Sequence, residues 1–416
     1  MAVSLADSAA ALPSRIGVVG GGQLAWMLAG AARELNIAVN VQTPSTDDPA
    51  ARLAARLIQA DLRDVEATRR LAVGCAAITF ENEWVDLVAL EALQLEGIRF
   101  LPSLQALEPL VNKRRQRELL ERLHVPAPPW LPLEALIPAS APSPDSAADP
   151  VVSTPPAPAA PQLPEGWSFP VMAKAATGGY DGKATLLLRE AIDLEALVES
   201  VDPADWIVEA FVAFSCELSQ LVCRDQQGNV RCYPLVETHQ HRRVCEWVLA
   251  PAAVPHAVEA FARNVATSLL TAIDYVGVLS IEFFYGPAGL QVNEIAPRTH
   301  NSGHVTIEAA RTSQFAQQAR IAAGLPMGPV DLKVPGALMV NLLGYESSTD
   351  SYDPQRRALA ELPAASVHWY GKTTATPGRK LGHVTLLLQG GTAEERRREA
   401  MQRLAQVRRT WPLPPA

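Results

Sequence analysis

Apolar residues recur along this chain in two rhythms, and the change between them divides it. Residues 16–19 form a short apolar run that ends in Gly20, Gly21 and Gly22. Leu24, Met27, Leu28, Ala31 and Leu35 then fall three and four apart, the spacing of one helical face. A second strand is expected at 37–41, and helix and strand signals alternate through 64–72, 77–80, 87–95 and 98–101. Alternation of this kind predicts a small parallel α/β domain over 15–110, behind a disordered extension at 1–14. From residue 111 the texture differs. A basic helix is expected at 112–123. Ten prolines then fall between Leu131 and Glu165, a stretch too poor in apolar bulk to offset its ordering entropy. It reads as a surface insertion, not a core element. Paired strand signals follow at 169–174 with 184–188, and at 218–223 with 230–235 around Gly228 and Asn229, so antiparallel hairpins replace the parallel units. A helix at 256–272 leads to strands at 278–285 and 290–295, which completes a domain over 111–325. Short strands broken by glycine and proline predict a small β-rich domain over 326–416, closing on a charged helix at 393–407.

Composition narrows the function. The 416 residues are 48% hydrophobic and 19% charged, ample for a core shared among two or three domains. A net charge of −8 disfavours a binder driven by nucleic-acid phosphates, and it obliges any anionic ligand to meet a local basic pocket. The five cysteines, Cys75, Cys216, Cys223, Cys232 and Cys245, have no zinc-type spacing and read as reduced thiols. The first residues lack the basic and apolar regions of a secretory signal, and charges or prolines interrupt every long apolar run. A cytoplasmic protein with no membrane partner is expected.

The sharpest chemical signal is a pair of acids. Glu282 lies in the run Val278-Leu-Ser-Ile-Glu-Phe-Phe-Tyr-Gly286 and Glu294 in Leu290-Gln-Val-Asn-Glu-Ile295, with Pro287-Ala288-Gly289 between them. A three-residue hairpin loop would pair Gly286 with Leu290, and counting back sets Glu282 opposite Glu294. Like charges so placed repel unless a cation lies between them, and Mg2+ is the natural one, with Mn2+ as the alternative. The plain alternative is two solvated acids on an exposed strand. Lys174 ends an apolar strand just before Thr177-Gly-Gly-Tyr-Asp-Gly-Lys183, whose glycines let backbone N–H groups approach phosphate oxygens. Lys113 stands among Arg114, Arg115 and Arg117, where a solvated basic helix face is the default reading. His239 and His241 lack a third ligand, so no metal is assigned to them.

These segments together carry a resemblance. Gly20-Gly-Gly-Gln-Leu24, Lys174 with Gly179-Tyr-Asp-Gly-Lys183, Glu209-Ala-Phe-Val212, Asn293-Glu-Ile-Ala-Pro-Arg298, His300-Asn-Ser-Gly-His304 and Gly378-Arg-Lys-Leu-Gly-His383 resemble the 5-(carboxyamino)imidazole ribonucleotide synthases of the ATP-grasp superfamily. The resemblance implies an ATP-grasp fold between an N-terminal parallel α/β domain and a small β-rich C-terminal domain. It implies ATP contacts from Lys113, Lys174, Gly179, Tyr180, Asp181, Gly182, Lys183, Ala184 and Thr185. The backbone of Glu209, Ala210, Phe211 and Val212 would read adenine, Glu217 would take the ribose hydroxyls, and Gln240, Asn293 and Glu294 would complete the nucleotide site. Glu282 and Glu294 would hold the metal. Tyr180, Asp181, Lys183, Arg298, His300, Asn301, Lys372, Arg379 and Lys380 would bind the ribonucleotide, with Asp181, Lys183 and Arg298 at the reacting groups. The substrates implied are ATP, bicarbonate and 5-aminoimidazole ribonucleotide, and the assembly implied is a homodimer. Four features depart from the family pattern: Ala184-Thr185 after the glycine-rich loop, Glu237-Thr238-His239-Gln240, Thr299, and the proline-rich insertion.

Two other readings compete. One is an ATP-grasp ligase acting on a different amine. The other is a dinucleotide-binding oxidoreductase, for which Gly17, Gly20 and Gly22 give G-x-x-G-x-G and not the required G-x-G-x-x-G.

Overall fold

A computed structural model describes residues 14–138, 160–178 and 184–414. The extension expected at 1–14, except Ser14, lies outside the described residues, as do 139–159 and the loop from Gly179 to Lys183.

The first strand, β1 (Arg15–Val19), runs between β2 (Ala38–Thr43) and β4 (Ile78–Phe80), with β3 (Arg56–Gln59) beyond β2. All pairings are parallel. The spacing read from Leu24 onward gives α1 (Gln23–Glu34), which buries Ala25, Met27, Leu28, Ala29 and Ala32. Next come α2 (Val65–Ala72) and α3 (Leu87–Leu95), whose first turns are capped by the side chains of Asp64 and Asp86. Strand β3 left no sequence signal, because of its four residues only Ile58 is fully buried. The strand expected at 98–101 shrinks to one parallel bridge, Phe100 to Ile78. Pro102 follows and has no N–H with which to extend the ladder.

A short helix, α4 (Leu104–Leu107), leads into α5 (Lys113–Arg122). A second, antiparallel sheet is formed by β5 (Trp130–Pro132), β6 (Val171–Ala175), β7 (Thr185–Leu188) and β8 (Trp206–Ala210) in the order β5-β8-β6-β7. The helix α6 (Ala191–Ser200) covers one face, where Leu194 and Leu197 pack with Val171, Val208, Leu133 and Leu136. The start of the proline-rich stretch therefore departs from the expectation. Residues 131–138 are not an insertion but part of this core, with Leu133 and Leu136 buried against β6 and β8.

The remaining strands are β9 (Cys216–Arg224), β10 (Val230–Cys232), β11 (Val236–His241), β12 (Val244–Ala250), β13 (Gly277–Gly286), β14 (Gly289–Ala296), β15 (Gly336–Leu343), β16 (Ala365–Trp369) and β17 (Lys380–Leu388). They form one sheet, in the order β14-β13-β9-β11-β12-β15-β17-β16, with β10 on β9. Helix α7 (His256–Ala272) lays Ala262, Val265, Ala266, Leu269 and Leu270 against Val222, Leu279 and Ile281 of this sheet. After β14 come α8 (Thr306–Ala309) and α9 (Gln314–Ala322). From α9, Phe315 and Ala319 pack with α1 and β1. Two helices, α10 (Asp353–Ala360) and α11 (Ala393–Thr410), close the chain, the latter starting in a capping box between Thr392 and Glu395. Across the expected boundary at 325/326 the sheet is unbroken, since β12 pairs with β15 from Trp247 and Val340 to Ala250 and Ala337. The fold is thus mixed α/β, with a parallel N-terminal sheet followed by antiparallel ones.

Candidate active site

The site is built on the hairpin of β13 and β14. Its turn differs from the expected one: Gly286 pairs with Gly289, so the loop is the two residues Pro287 and Ala288. Gly289 takes a left-handed φ of +84°. In that register Glu282 would face Asn293, and Glu294 would lie on the opposite side of the sheet. The ladder corrects itself. Phe283 pairs with Val292, the register then shifts by one residue, and Glu282 stands opposite Glu294 after all. Asn293 is the extra residue of this β-bulge, a device that re-aims side chains at functional sites. A shorter loop and a bulge, each missed, cancel in the count.

The two acids differ electrostatically. Burial, then Glu294, then Glu217 push the Glu282 carboxyl up to about 7. Burial also opposes ionisation of Glu294, but contact with Lys113, together with the charges of Lys174 and Arg117, outweighs it and holds that carboxyl below the ordinary range. The contact is a salt bridge from Lys113 Nζ to Glu294 Oε1. Lys174 Nζ lies 2.7 Å from Glu209 Oε2 and 3.0 Å from Asn293 Oδ1. Lys113 and Glu294 line one cleft with Thr177 and Gly178, and Lys174 is tied to them through Asn293, the residue before Glu294, while Glu282 stands opposite Glu294. A hard divalent cation fits this donor set, because a positive charge there would favour ionisation of the carboxyl that burial and Glu294 push up to about 7.

His300 completes that wall. Its Nδ1 accepts from the backbone N–H of Ser302 at 3.3 Å, which leaves the proton of the neutral ring on Nε2, 3.3 Å from Glu282 Oε1. Burial, with Arg298 and Lys380 nearby, holds its pKa well below the ordinary value, so the ring is neutral.

Other expected site residues are placed as follows. Tyr180, Asp181 and Lys183, with Gly179 and Gly182, lie outside the described residues. Ala184 and Thr185 enter β7, where Ala184 O accepts from Ala175 N at 2.9 Å. The carboxylate of Glu209 is fully engaged by Lys174 and Arg117, while Ala210 ends β8 and Phe211 and Val212 follow it. Burial raises Glu217 to about 7. Gln240 sits at an irregularity in the pairing of β11 with β12. Arg298 is not an open fork, because its Nε meets Glu83 at 2.8 Å. Asn301 is buried in a reciprocal amide pair with Asn341, at 3.0 and 2.7 Å, so its side chain is turned into the core. Lys372 Nζ donates to Gln23 Oε1 at 3.0 Å and to the carbonyl of Lys380 at 2.7 Å. This brings Lys372 and the backbone of Lys380 together beside the start of α1. Arg379 donates to Thr374 O at 2.7 Å on an exposed turn.

Arg117, expected on a solvated helix face, is instead 3% exposed. Its place four residues after Lys113, on the same helical face, was the available signal. Glu83, Gln116 and Asn341 left none.

The glycine run after β1 is occupied by the protein itself. The carboxylate of Glu81 accepts from the N–H groups of Gly22 at 2.5 Å and Leu24 at 3.0 Å, at the start of α1. A Cβ on Gly20 would lie 2.5 Å from that of Glu81. The glycines thus make room for a carboxylate where a dinucleotide would place its pyrophosphate, which removes the geometric basis for the oxidoreductase reading.

Three family models match the chain: a ribonucleotide synthetase preATP-grasp domain at 14–110, an ATP-grasp domain at 156–315 and a phosphoribosylaminoimidazole carboxylase C-terminal domain at 337–398. The N5-carboxyaminoimidazole ribonucleotide synthase of Synechococcus elongatus is 45% identical over 399 residues, 96% of each chain. The crystal structure of N5-carboxyaminoimidazole ribonucleotide synthetase from Thermus thermophilus is similar with a TM-score of 0.78 at 30% identity, covering 96% of this chain and 99% of that one. The Aspergillus clavatus N5-carboxyaminoimidazole synthase, in complex with ADP and 5-aminoimidazole ribonucleotide, is similar with a TM-score of 0.79 at 29% identity over the same shares. Among the described residues no helix is long and apolar enough to cross a membrane.

Proposed function

The chain belongs to the N5-carboxyaminoimidazole ribonucleotide synthase family and is an ATP-grasp carbon–nitrogen ligase that carboxylates 5-aminoimidazole ribonucleotide in purine biosynthesis; we propose how its own residues carry this out. Bicarbonate attacks the γ-phosphorus of ATP, and the bond to the ADP oxygen breaks. The resulting carboxyphosphate then loses phosphate as the exocyclic amine of the ribonucleotide attacks its carboxyl carbon and gives up a proton.

Both reactants of the first step are anions, so charge neutralisation and alignment supply most of the rate, and no nucleophilic side chain is needed. Lys113 and Lys174 are the cations we assign to the ATP phosphates. Glu282 and Glu294, with Asn293 beside Lys174, would hold Mg2+, which would supply positive charge to neutralise the phosphates. The neutral His300, its Nε2–H directed at Glu282, orients that carboxylate. Glu209 to Val212 and Glu217 take the adenosine, with Gln240 beside them. Gly179 to Thr185 we assign to phosphate covering and water exclusion, with Tyr180, Asp181 and Lys183 reaching the reacting groups. Lys372, Arg379 and Lys380 form the pocket for the single phosphate of the ribonucleotide. Arg298, neutralised by Glu83, stays at its edge, and Asn301 supports the wall through Asn341. The enzyme works as a cytoplasmic homodimer.

The observation that carries this reading is the bulged register that sets Glu282 opposite Glu294 beside two lysines. Its test is product analysis with labelled bicarbonate. Label should enter the ribonucleotide with one ADP released per carboxylation, and ADP release stimulated only by another amine would overturn the assignment.

A further inference from the structure

Strand β14 is an edge strand of its sheet, so the outer N–H and C=O groups of the hairpin that carries Glu294 face no further strand. Side chains of α5 pair with them instead. Gln116 donates to Ile295 O at 3.0 Å and accepts from Ile295 N at 3.1 Å, as a neighbouring strand would. Arg117 donates to Asn293 O at 2.6 Å and to Val292 O at 3.4 Å. Its target is therefore the carbonyl of the bulged residue, which the bulge leaves out of the ladder.

Arg117 is also tied to the lysine of the same site. Its Nε donates to Glu209 Oε1 at 2.7 Å, and the other oxygen of Glu209 meets Lys174 at 2.7 Å. Lys174 in turn donates to the side chain of Asn293 at 3.0 Å. Arg117, Glu209, Lys174 and Asn293 thus close a ring of charge-assisted hydrogen bonds, in which Arg117, Glu209 and Lys174 are buried. Such bonds fix geometry best where the donor is a planar fork and solvent is excluded. Two ligand-bearing elements that are remote in sequence, β6 with Lys174 and the bulge before Glu294, are bonded to each other directly and through Glu209 to one guanidinium.

We propose that Arg117 is a positioning residue of the nucleotide–metal site, setting Lys174 and the Asn293 bulge, and through the bulge Glu294, for bound nucleotide. The proposal rests on the ATP-grasp reading above, because it assigns Lys174 and Glu294 to nucleotide and metal. It predicts a selective defect: the constants for ATP and Mg2+ change, whereas those for the ribonucleotide do not, since Lys372, Arg379 and Lys380 lie on β17 and the turns before it.

The test compares the full chain with Arg117→Met and Arg117→Lys, using ADP binding by calorimetry at several Mg2+ concentrations, the KM values for ATP and ribonucleotide, and thermal unfolding to verify folding. In Arg117→Met the Kd of ADP, the Mg2+ concentration for half-maximal binding and the KM for ATP should rise about tenfold or more, equivalent to about 1.4 kcal/mol. The ribonucleotide KM should stay within about twofold. Lysine keeps the charge but lacks the fork, so Arg117→Lys should give intermediate constants, and it decides the matter alone if Arg117→Met does not fold. Unchanged ADP and Mg2+ constants in a folded variant overturn the proposal, as does a parallel rise in the ribonucleotide KM. If the parent chain binds ADP with Mg2+ yet does not carboxylate the ribonucleotide, the functional reading fails while the binding data still judge Arg117.

Discussion

Replacing Glu282 with glutamine should stabilise the protein without metal and destabilise it, relative to the parent, once nucleotide and Mg2+ are present. Burial and Glu294 raise the Glu282 carboxyl from an ordinary 4.5 to about 7. A carboxyl with a raised folded value costs nothing at pH below 4.5, where both states are protonated. Its cost grows from pH 4.5 to 7 and is constant above that. The shift corresponds to about 3 kcal/mol at pH 8. The side chain is 27% exposed, so solvent screening trims this to about 2 kcal/mol. Glutamine keeps the shape and removes the charge. With the unfolding entropy typical of a chain of 416 residues, Glu282→Gln should raise Tm by about 2 °C at pH 8 in EDTA. At pH 5 the gap should fall to about a quarter of that. Saturating ADP with Mg2+, at about a hundred times Kd, should raise the parent by about 3 °C and the variant little. Scanning fluorimetry at the two pH values, with and without Mg2+ and ADP, reads all four conditions. A variant no more stable than the parent at pH 8 in EDTA, or one that gains as much from Mg2+ and ADP, would refute the account of two opposed acids awaiting a cation.

Two further outcomes follow from the same site. Glu294→Gln should abolish ADP formation while leaving the chain folded, because it removes both a proposed metal ligand and the salt bridge to Lys113; turnover within tenfold of the parent would contradict the assignment. Arg379→Glu should raise the KM for the ribonucleotide by at least tenfold and leave that for ATP within about twofold, as steady-state kinetics with each substrate varied would reveal.

The strong periodicities were legible before the structure. The helices at 87–95 and 256–272 and the 171–175 with 185–188 hairpin carry unmixed apolar patterns, and a pattern of that strength sets its own element. Pairing outside the pattern was not legible. β3 is a strand because β2 offers it an edge, and residues 131–138 are core because β8 offers them another, neither of which is written in their own residues. At the site, the identity of the acid pair was readable but its geometric cause was not. A count of loop residues cannot see a bulge whose extra residue, Asn293, is held from outside the hairpin by Arg117 and Lys174. Arg298 and Asn301 show the converse limit. Their residue types suit phosphate and base recognition, yet Glu83 and Asn341, distant in sequence, engage the groups that would do it.

The uninterrupted ladder from β12 into β15 bears on how this molecule can be taken apart. Cutting the chain near residue 325 would not release a self-contained lobe; it would strip β12 of its neighbour and bare Val248, Leu249 and Ala250, a sticky margin prone to intermolecular stacking. Fragments ending there should precipitate on their own. Exchange of the last ninety residues between relatives should succeed only where the incoming strand offers apolar side chains at the positions of Ala337 to Val340, because that seam is shared interior.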